Sequence, residues 1–233
     1  MIGIIGAMAV EVDGLLAIME NTDKTTIGGM NFYAGEIAGK WAVVARCGVG
    51  KVHAAMCAQT MIVTFPLVAM VNLGAAGAID NTLNIGDVVV SSDLVHHDAR
   101  ATTFGYEIGQ IPGLDVLAFV SDKRLVKSAM AAYDAIFASG INRAHHGRIS
   151  TGDQFINSME QKQQIWSDFA ALCVEMEGAA IAQVCYLNNI PFVAIRAISD
   201  RADGSAEVDF AKFIEQAAEN SIRVVTKMMG ESL

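Results

Sequence analysis

The chain has 233 residues, of which 53% are hydrophobic, and it carries a formal net charge of −9 at pH 7. This length predicts one domain, residues 1–233, with a large core. The acidic balance predicts no nucleic-acid partner and no membrane partner, because both surfaces attract clustered lysine and arginine.

The N-terminal sequence and the cysteines both predict a cytoplasmic protein. The chain begins with MIGIIGAM, which lacks the basic segment and cleavage pattern of a secretion signal. Its 4 cysteines form no CxxC pair, so we expect buried, reduced thiols. Residues 52–79 contain no charged side chain except that of a histidine, but Pro66 and an expected tight turn at NLGAAG divide them into a core helix and a core strand.

Short apolar runs alternate with helical patterns along the chain. The first half is predicted to contain a strand at 2–8, a helix at 10–20, two antiparallel strands within 31–48 that turn at Gly39-Lys40, a helix at 50–65, and strands at 67–74 and 85–92. The second half is predicted to contain a strand at 147–155, a helix at 158–166, a strand at 171–177, a helix at 178–189, a strand at 191–200 and a long helix from about Val208. This alternation predicts a single-domain, three-layer α/β/α fold with a central mixed, mostly parallel sheet.

The glycine motifs do not predict a phosphate-binding loop. GIIGAM lacks the G-x-G-x-x-G spacing of dinucleotide-binding folds. GVGK at 48–51 resembles the end of a P-loop, but Ala45 replaces its first glycine and Val52 replaces its serine or threonine. We therefore expect no nucleotide cofactor at either motif.

The histidines and serines also give no catalytic pattern. VHHDAR at 95–100 contains two adjacent histidines, which point to opposite faces of a strand and suit one metal ion poorly. The pair at 145–146 lies in a polar stretch and is likewise not expected to bind a metal. The serines at 91–92 lie in no nucleophile-elbow motif. The sequence predicts neither a metal nor another cofactor.

Four carboxylates are predicted to lie at the ends of strands. Glu11 follows the first strand, Glu175 and Glu177 end a later strand, and Asp200 ends the strand that contains Arg196. Ligands of parallel sheets bind at the carboxyl ends of the strands. Any one of these acids fits a helix cap or a surface charge. Together they suit a reaction that builds positive charge, such as glycosidic-bond cleavage with a general acid and an activated water.

Seven segments carry a family resemblance: GIIGAM with the following EV, GVGKV, NLGAAGAI, HHDA, STGDQFI, VEMEGAAIAQVC and FVAIRAISD. In order and spacing they resemble the 5′-methylthioadenosine/S-adenosylhomocysteine nucleosidases of the nucleoside phosphorylase superfamily, from Ile2 to the last helix. The resemblance implies a phosphorylase/hydrolase-like fold. It also implies cofactor-free hydrolysis of the N-glycosidic bond of both nucleosides, and of 5′-deoxyadenosine, with release of adenine and the 5-thiopentose.

The resemblance implies catalytic roles for four residues. Asp200 would protonate adenine N7, and Glu177 would bind the ribose 2′-hydroxyl. Glu11 would deprotonate the attacking water, with Arg196 nearby. A helix N-terminus favours an ionised carboxylate, so we expect Glu11 to be charged at neutral pH.

The resemblance also implies the substrate contacts. Phe155 would stack on adenine and the Ile156 backbone would read its Watson–Crick edge. The sugar and the rest of the nucleoside would contact Ala75, Val174, Glu175, Met176 and Ser199. The 5′-alkylthio pocket would be lined by Met8, Val49 and Phe210, and completed by Phe104 and Pro112 from the second subunit of a homodimer.

Two further features bear on this assignment. Ala75 replaces a small hydroxyl residue usual in the family, so one hydrogen bond that could position Asp200 is expected to be missing. The segment FGYEIGQIPG at 104–113 would expose apolar side chains on a monomer, which favours a homodimer.

Two alternatives remain open. A purine nucleoside phosphorylase of the same fold would need a pocket for a phosphate dianion, which Glu11 would repel. A non-catalytic nucleoside-binding protein could have lost Asp200 or Glu177, and both are present. The sequence favours the hydrolase.

Overall fold

The computed structural model describes residues 1–137 and 140–231. Its strands are β1 Ile2–Gly6, β2 Glu20–Ile27, β3 Met30–Ile37, β4 Lys40–Arg46, β5 Ala69–Ala78, β6 Val88–His96, β7 Phe119–Val120, β8 Ala144–Thr151, β9 Cys173–Glu175 and β10 Phe192–Asp200. Its helices are α1 Ala9–Ile18, α2 Lys51–Thr64, α3 Lys123–Phe137, α4 Met159–Phe169, α5 Gly178–Asn188 and α6 Ala206–Met229, with a short 3₁₀ helix at Thr102–Phe104.

All ten strands form one mixed, mostly parallel sheet. The order along it is β10-β6-β8-β9-β5-β1-β4-β3-β2, and β7 pairs with β6. The strands β4, β1, β5 and β10 are parallel to one another. Because β10 also pairs with β5, the strands β5, β10, β6, β8 and β9 close into a ring. The sheet confirms the predicted α/β class.

Side chains that alternate along the buried strands build a core on each face of the sheet. On β1, Ile5 packs into the layer that contains α2 and α5, and Ile4 packs into the layer that contains α1, α3 and α6. The cysteines at 47, 57, 173 and 185 are buried free thiols, as predicted. Within residues 1–137 and 140–231, no helix is long and apolar enough to cross a membrane.

The sheet departs from the sequence-based prediction at two segments. NLGAAG is not a tight turn, because it continues β5. Its glycines give room to acidic side chains: a Cβ on Gly74 would lie 2.5 Å from Glu11 Oε1, and one on Gly77 would lie 2.6 Å from Asp200 Oδ1. The strand predicted at 171–177 ends at Glu175, since Glu177 already precedes α5 as its N-cap.

The structure also contains elements that were not predicted, and one predicted helix starts earlier. The strand β2 was not predicted because ENTDKTTI is polar and mostly exposed, as suits the edge of a sheet. The helix α3 was not predicted either, and the pair at 145–146, assigned to a polar stretch, lies within β8. The last helix begins at Ala206, two residues before the predicted start.

Candidate active site

A cavity of about 270 Å³ lies where β1, β5 and β10 end and α1 and α5 begin. It is lined by Ala7, Met8, Glu11, Val49, Ala75, Ala76, Gly77, Phe155, Val174, Glu175, Met176, Glu177, Ser199, Asp200 and Phe210. The cavity therefore brings together every sequence-predicted site residue except Arg196, Ile156, Phe104 and Pro112. Ala7, Ala76 and Gly77 were not predicted.

Glu11 is held by backbone amides at the start of α1. Its Oε2 accepts hydrogen bonds from the N–H groups of Ala7 at 2.7 Å and Met8 at 2.9 Å. Its Oε1 accepts from the Ala75 N–H at 3.0 Å. Burial raises the pKa of Glu11, although the Arg196 guanidinium and these amides oppose the rise. That Glu11 is ionised at neutral pH stays a prediction: burial acts against it, while Arg196 and the three backbone N–H groups favour the carboxylate.

Arg196 lies behind the cavity and pairs with Glu175. Its Nη2 lies 2.5 Å from Glu175 Oε2, and both side chains are buried. The same Nη2 donates to the Asn72 side-chain oxygen, while the Asn72 amide donates to the Ile5 carbonyl at 2.9 Å. The Arg196 guanidinium is thus fixed between β5 and the end of β9.

Glu175 has four hydrogen-bond donors around its carboxylate. Besides Arg196, its Oε2 accepts the N–H groups of Glu177 at 3.0 Å and Gly178 at 2.7 Å, and its Oε1 accepts the Thr151 hydroxyl. Burial alone would raise the pKa of Glu175, but Arg196 and these hydrogen bonds hold it below its ordinary value. Glu175 is the ionised member of the acidic pair.

Glu177 has fewer partners. Its Oε1 accepts the Gly50 N–H at 2.7 Å, at the start of α2. Burial and the negative charge of Glu175 raise the pKa of Glu177 to about 8. Its other oxygen makes no hydrogen bond within the described residues and faces the cavity that Glu177 lines. This carboxyl group is available to a ligand hydroxyl.

Asp200 lies at the end of β10 on the opposite wall. Its Oδ2 accepts the Ser199 hydroxyl at 2.9 Å, and its Oδ1 accepts the Ala202 N–H at 2.9 Å. Burial raises the pKa of Asp200, against the effect of these two hydrogen bonds. A buried carboxyl group with a raised pKa holds its proton closer to neutral pH and can act as an acid.

The walls between these acids are apolar. The rings of Phe155 and Phe210 meet edge to face with centroids 5.8 Å apart. Ile156 is buried and lines a smaller adjoining cavity of about 30 Å³, which shares Phe155 and Asp200 with the main one. The site can therefore place a flat apolar group between aromatic rings and a carboxyl group.

Ala75 contacts Glu11 rather than Asp200. Its N–H donates to Glu11 Oε1, and in the sheet it is paired with Ala197. Asp200 takes its donors from Ser199 and Ala202 instead. The hydroxyl group absent at position 75 is therefore not needed for either hydrogen bond to Asp200.

Phe104 and Pro112 lie outside this cavity. Phe104 ends the short 3₁₀ helix and is 82% exposed. Pro112 is also exposed. Neither residue lines the cavity.

Several positions that support the acids or Arg196 were missed by sequence reasoning. Gly50 and Ala202 act through backbone N–H groups, and Asn72 and Thr151 act through side chains. Asn72 and Thr151 are polar residues within buried strands, a signal that could have identified them.

The start of α2, where GVGK resembles a P-loop, binds carboxylates of the protein itself. The Gly50 N–H donates to Glu177, and the Lys51 N–H donates to Asp153 Oδ1 at 2.8 Å. Among residues 1–137 and 140–231, no group of three or more His, Cys, Asp or Glu side chains could hold a metal ion.

Comparison with known proteins identifies the family. A profile of the phosphorylase superfamily matches residues 1–229. The chain is 42% identical over 232 residues to the 5′-methylthioadenosine/S-adenosylhomocysteine nucleosidase of Staphylococcus aureus (strain bovine RF122 / ET3-1), covering 99% of this chain and 100% of the relative.

Two solved structures of nucleosidases share the fold. The Neisseria meningitidis nucleosidase in complex with methylthio-immucillin-A superposes with a TM-score of 0.94 at 39% identity, over 98% of each chain. The Colwellia psychrerythraea 34H nucleosidase in complex with adenine gives a TM-score of 0.94 at 38% identity, over 100% of this chain and 97% of the other. The chain therefore belongs to the phosphorylase superfamily and, within it, to the family of 5′-methylthioadenosine/S-adenosylhomocysteine nucleosidases.

Proposed function

We propose that this protein hydrolyses the N-glycosidic bond of 5′-methylthioadenosine and S-adenosylhomocysteine, releasing adenine and the 5-thiopentose. The observation that carries the proposal is one cavity lined by the buried carboxyl groups of Glu11, Glu177 and Asp200 together with the Phe155 ring. Cleavage needs a proton for the leaving base, stabilisation of a cationic sugar and an activated water. Each of the three carboxyl groups can serve one of these needs.

Asp200 is the general acid in this mechanism. Burial raises its pKa, which makes a proton easier to hold, and the protonated side chain can deliver that proton to adenine N7 as the bond to the sugar breaks. The Ser199 hydroxyl lies within 3.3 Å of both Asp200 Oδ2 and the Ala76 carbonyl. This hydroxyl can donate to an ionised Asp200. When Asp200 is protonated, the hydroxyl can accept from its carboxyl group and donate to the Ala76 carbonyl instead.

Glu177 binds the ribose 2′-hydroxyl. Its pKa of about 8 is high because its charge is buried and lies near that of Glu175. A cationic sugar beside this carboxyl group favours its ionised form, so the interaction strengthens as positive charge develops. An interaction that is stronger in the transition state than in the ground state raises kcat.

Glu11 is the base that orients and deprotonates water. Three backbone N–H groups fix its carboxylate, and Oε1, which accepts only the Ala75 amide, has a lone pair left for a water molecule. Burial makes this carboxylate more basic, while Arg196 limits the rise in its pKa. Glu175 is less suited to this role, since Arg196, two backbone N–H groups and the Thr151 hydroxyl already bind its two oxygens.

The 5′-alkylthio group would lie against Met8, Val49 and Phe210, which line the apolar part of the cavity. We propose that a second copy of the chain closes this pocket with Phe104 and Pro112. Exposed apolar side chains support such a homodimer: Val52, Met56, Phe104, Val120 and Leu187 are each at least half exposed. Light scattering should give the mass of a dimer at assay concentration, and a fully active monomer would contradict the proposal.

Product analysis tests the reaction itself. In phosphate-free buffer, 5′-methylthioadenosine should yield adenine and free 5-methylthiopentose in equal amounts. Adding phosphate should change neither the rate nor the products, because the Glu11 carboxylate at the proposed water site would repel a phosphate dianion. If the pentose 1-phosphate is the main product in phosphate buffer, the protein is a phosphorylase and the proposal is wrong.

A further inference from the structure

Lys162 is a buried lysine for which the proposed mechanism has no use. It lies on α4 and is 5% exposed. Burial lowers the pKa of its ammonium group, although the carboxylates of Asp203 and Asp200 oppose the change. A buried charge is unfavourable unless it is paired, so an apolar residue would pack more easily in its place. The contact that the ammonium group makes should therefore explain its presence.

The ammonium group binds the peptide unit that follows Asp200. Lys162 Nζ donates to the carbonyl oxygen of Arg201 at 2.8 Å. The N–H of the same peptide unit, on Ala202, donates to Asp200 Oδ1 at 2.9 Å. A peptide unit is planar, so fixing its oxygen also fixes the direction of its N–H. A positive charge at the oxygen polarises the unit and strengthens the N–H as a donor.

The backbone at this point needs support from its surroundings. Ala202 has φ of 50°, a left-handed conformation that is unfavourable for a residue with a Cβ. Such conformations persist where the surrounding structure holds them. Ala202 is fully buried, and a Cβ on Gly77 would lie 3.0 Å from its Cβ. The turn is thus packed against the strand that forms the floor of the cavity.

We propose that Lys162 is a positioning residue: it holds the Arg201–Ala202 peptide unit so that its N–H fixes Asp200 in the orientation that protonates the leaving base. This inference rests on the proposed role of Asp200 as the acid. If it is correct, a variant without the ammonium group should release more slowly those bases that must be protonated to leave. Leaving groups that depart as stable anions should be affected much less.

Two substrates separate these cases: 5′-methylthioadenosine, and the p-nitrophenyl glycoside of 5-methylthioribose, whose p-nitrophenolate needs no proton to leave. In Lys162→Met, we expect kcat for the nucleoside to fall about 10- to 100-fold, within the range of effects of misplaced catalytic groups. The kcat for the aryl glycoside should fall less than about threefold. The KM for either substrate should also change less than about threefold, since misorienting the acid affects mainly the chemical step. Equal losses on both substrates, or no loss on either, would overturn the proposal.

Matched variants keep the test informative. Lys162→Arg retains a cationic donor and should keep the wild-type ratio of the two activities; a ratio as low as that of the methionine variant would overturn the proposal. Gln163 is an exposed neighbour of Lys162 on α4, so Gln163→Met should leave both activities unchanged. If Lys162→Met does not fold, Lys162→Gln removes the charge with a smaller change in polarity and must give the same selective loss.

The Asp200→Asn variant separates failure of this inference from failure of the proposed function. If Asp200 is the acid, its variant loses far more activity on the nucleoside than on the aryl glycoside. If Asp200→Asn shows no such selectivity, the role of Asp200 is wrong and the positioning role of Lys162 is wrong with it. If Asp200→Asn is selective and Lys162→Met is not, only the inference about Lys162 is wrong.

Discussion

Arg196 Nη2 and Glu175 Oε2 lie 2.5 Å apart, with 2% and 3% of their side chains exposed. This buried pair determines how the two neighbouring glutamates differ. Glu175 shares the guanidinium and has its pKa held below the ordinary value, whereas Glu177 has its pKa raised by burial and by the charge of Glu175. Two carboxyl groups whose environments push their pKa values apart can take different roles in one site.

Breaking this ion pair should destabilise the fold. In Arg196→Met, the Glu175 carboxylate stays buried without its cation, and removing one partner of a buried pair typically costs about 3–5 kcal/mol. Urea unfolding at pH 7 measures the change in the free energy of unfolding. Arg100→Met, which breaks the exposed pair of Arg100 with Asp168, should cost only about 0–1 kcal/mol. A similar small loss in Arg196→Met would show that Glu175 does not depend on the pair.

The raised pKa of Glu177 predicts a pH-dependent stability. The native state holds the Glu177 proton up to about pH 8, while the unfolded chain loses it near 4.5. Between these values the native state binds more protons, so the stabilisation is present at low pH and is lost as pH rises from about 4.5 to about 8. The slope is on the order of 1 kcal/mol per pH unit. Glu177→Gln should lack this decline.

Thermal unfolding of both proteins across this pH window checks the prediction. The Tm of the wild type should fall relative to that of Glu177→Gln as the pH increases. Parallel Tm curves for the two proteins would mean that Glu177 titrates normally in the folded state.

The sequence predicted the layered fold and the position of four acids at one edge of the sheet, because strand ends and acidic residues can be read directly from it. The sequence did not identify the ion-pair partner of Arg196, since this depends on which acid the tertiary fold places near the guanidinium, here one at the end of β9 against a residue of β10. The prediction that Gly74 and Gly77 lie in a tight turn was also wrong. Their role is to make room for the side chains of Glu11 and Asp200, which come from other elements.

The support of Asp200 could not be predicted for the same reason. Ala202 is an ordinary residue in the sequence, and its contribution is a backbone N–H in a left-handed conformation. Likewise, the burial that raises the pKa of Glu11 depends on the elements packed around it. Both properties arise from tertiary packing and leave no local pattern.

Asp200→Asn should abolish hydrolysis and largely retain binding. The amide can still hydrogen-bond N7 but has no proton to transfer, and general acid catalysis contributes about 10²–10⁴-fold. Single-turnover kinetics measures the chemical step, and calorimetric titration with 5′-methylthioadenosine measures binding. Asp134→Asn, on the exposed face of α3, is the control. Turnover within a few-fold of the wild type would exclude Asp200 as the acid.

Ala75→Ser should raise activity modestly. The cavity-lining Ala75 lies beside Glu11, so a hydroxyl group there adds a hydrogen-bond partner near the water or the sugar. One such bond is worth about 0.5–1.5 kcal/mol, which limits the gain in kcat/KM to roughly tenfold. Steady-state kinetics with 5′-methylthioadenosine checks the gain. A lower kcat/KM in a folded variant would indicate that the site is adapted to alanine.

Glu11→Gln should lower kcat by orders of magnitude and also destabilise the protein. An amide is too weak a base to deprotonate water, so phosphate should not restore activity. The stability effect follows from the three N–H groups that the carboxylate accepts. The glutamine NH₂ cannot accept, so at least one buried N–H loses its partner, at a cost of about 1–3 kcal/mol.

An acid that only complements a helix dipole gives a different result. Its substitution would change the free energy of unfolding by about 0.3–1 kcal/mol and leave kcat unchanged. Glu207→Gln, at an exposed first-turn position of α6, provides that comparison. Urea unfolding and steady-state assays on both variants distinguish the two cases. A Glu11→Gln enzyme that keeps wild-type kcat would require another base, and the hydrolytic mechanism would then have to route water through a different carboxylate.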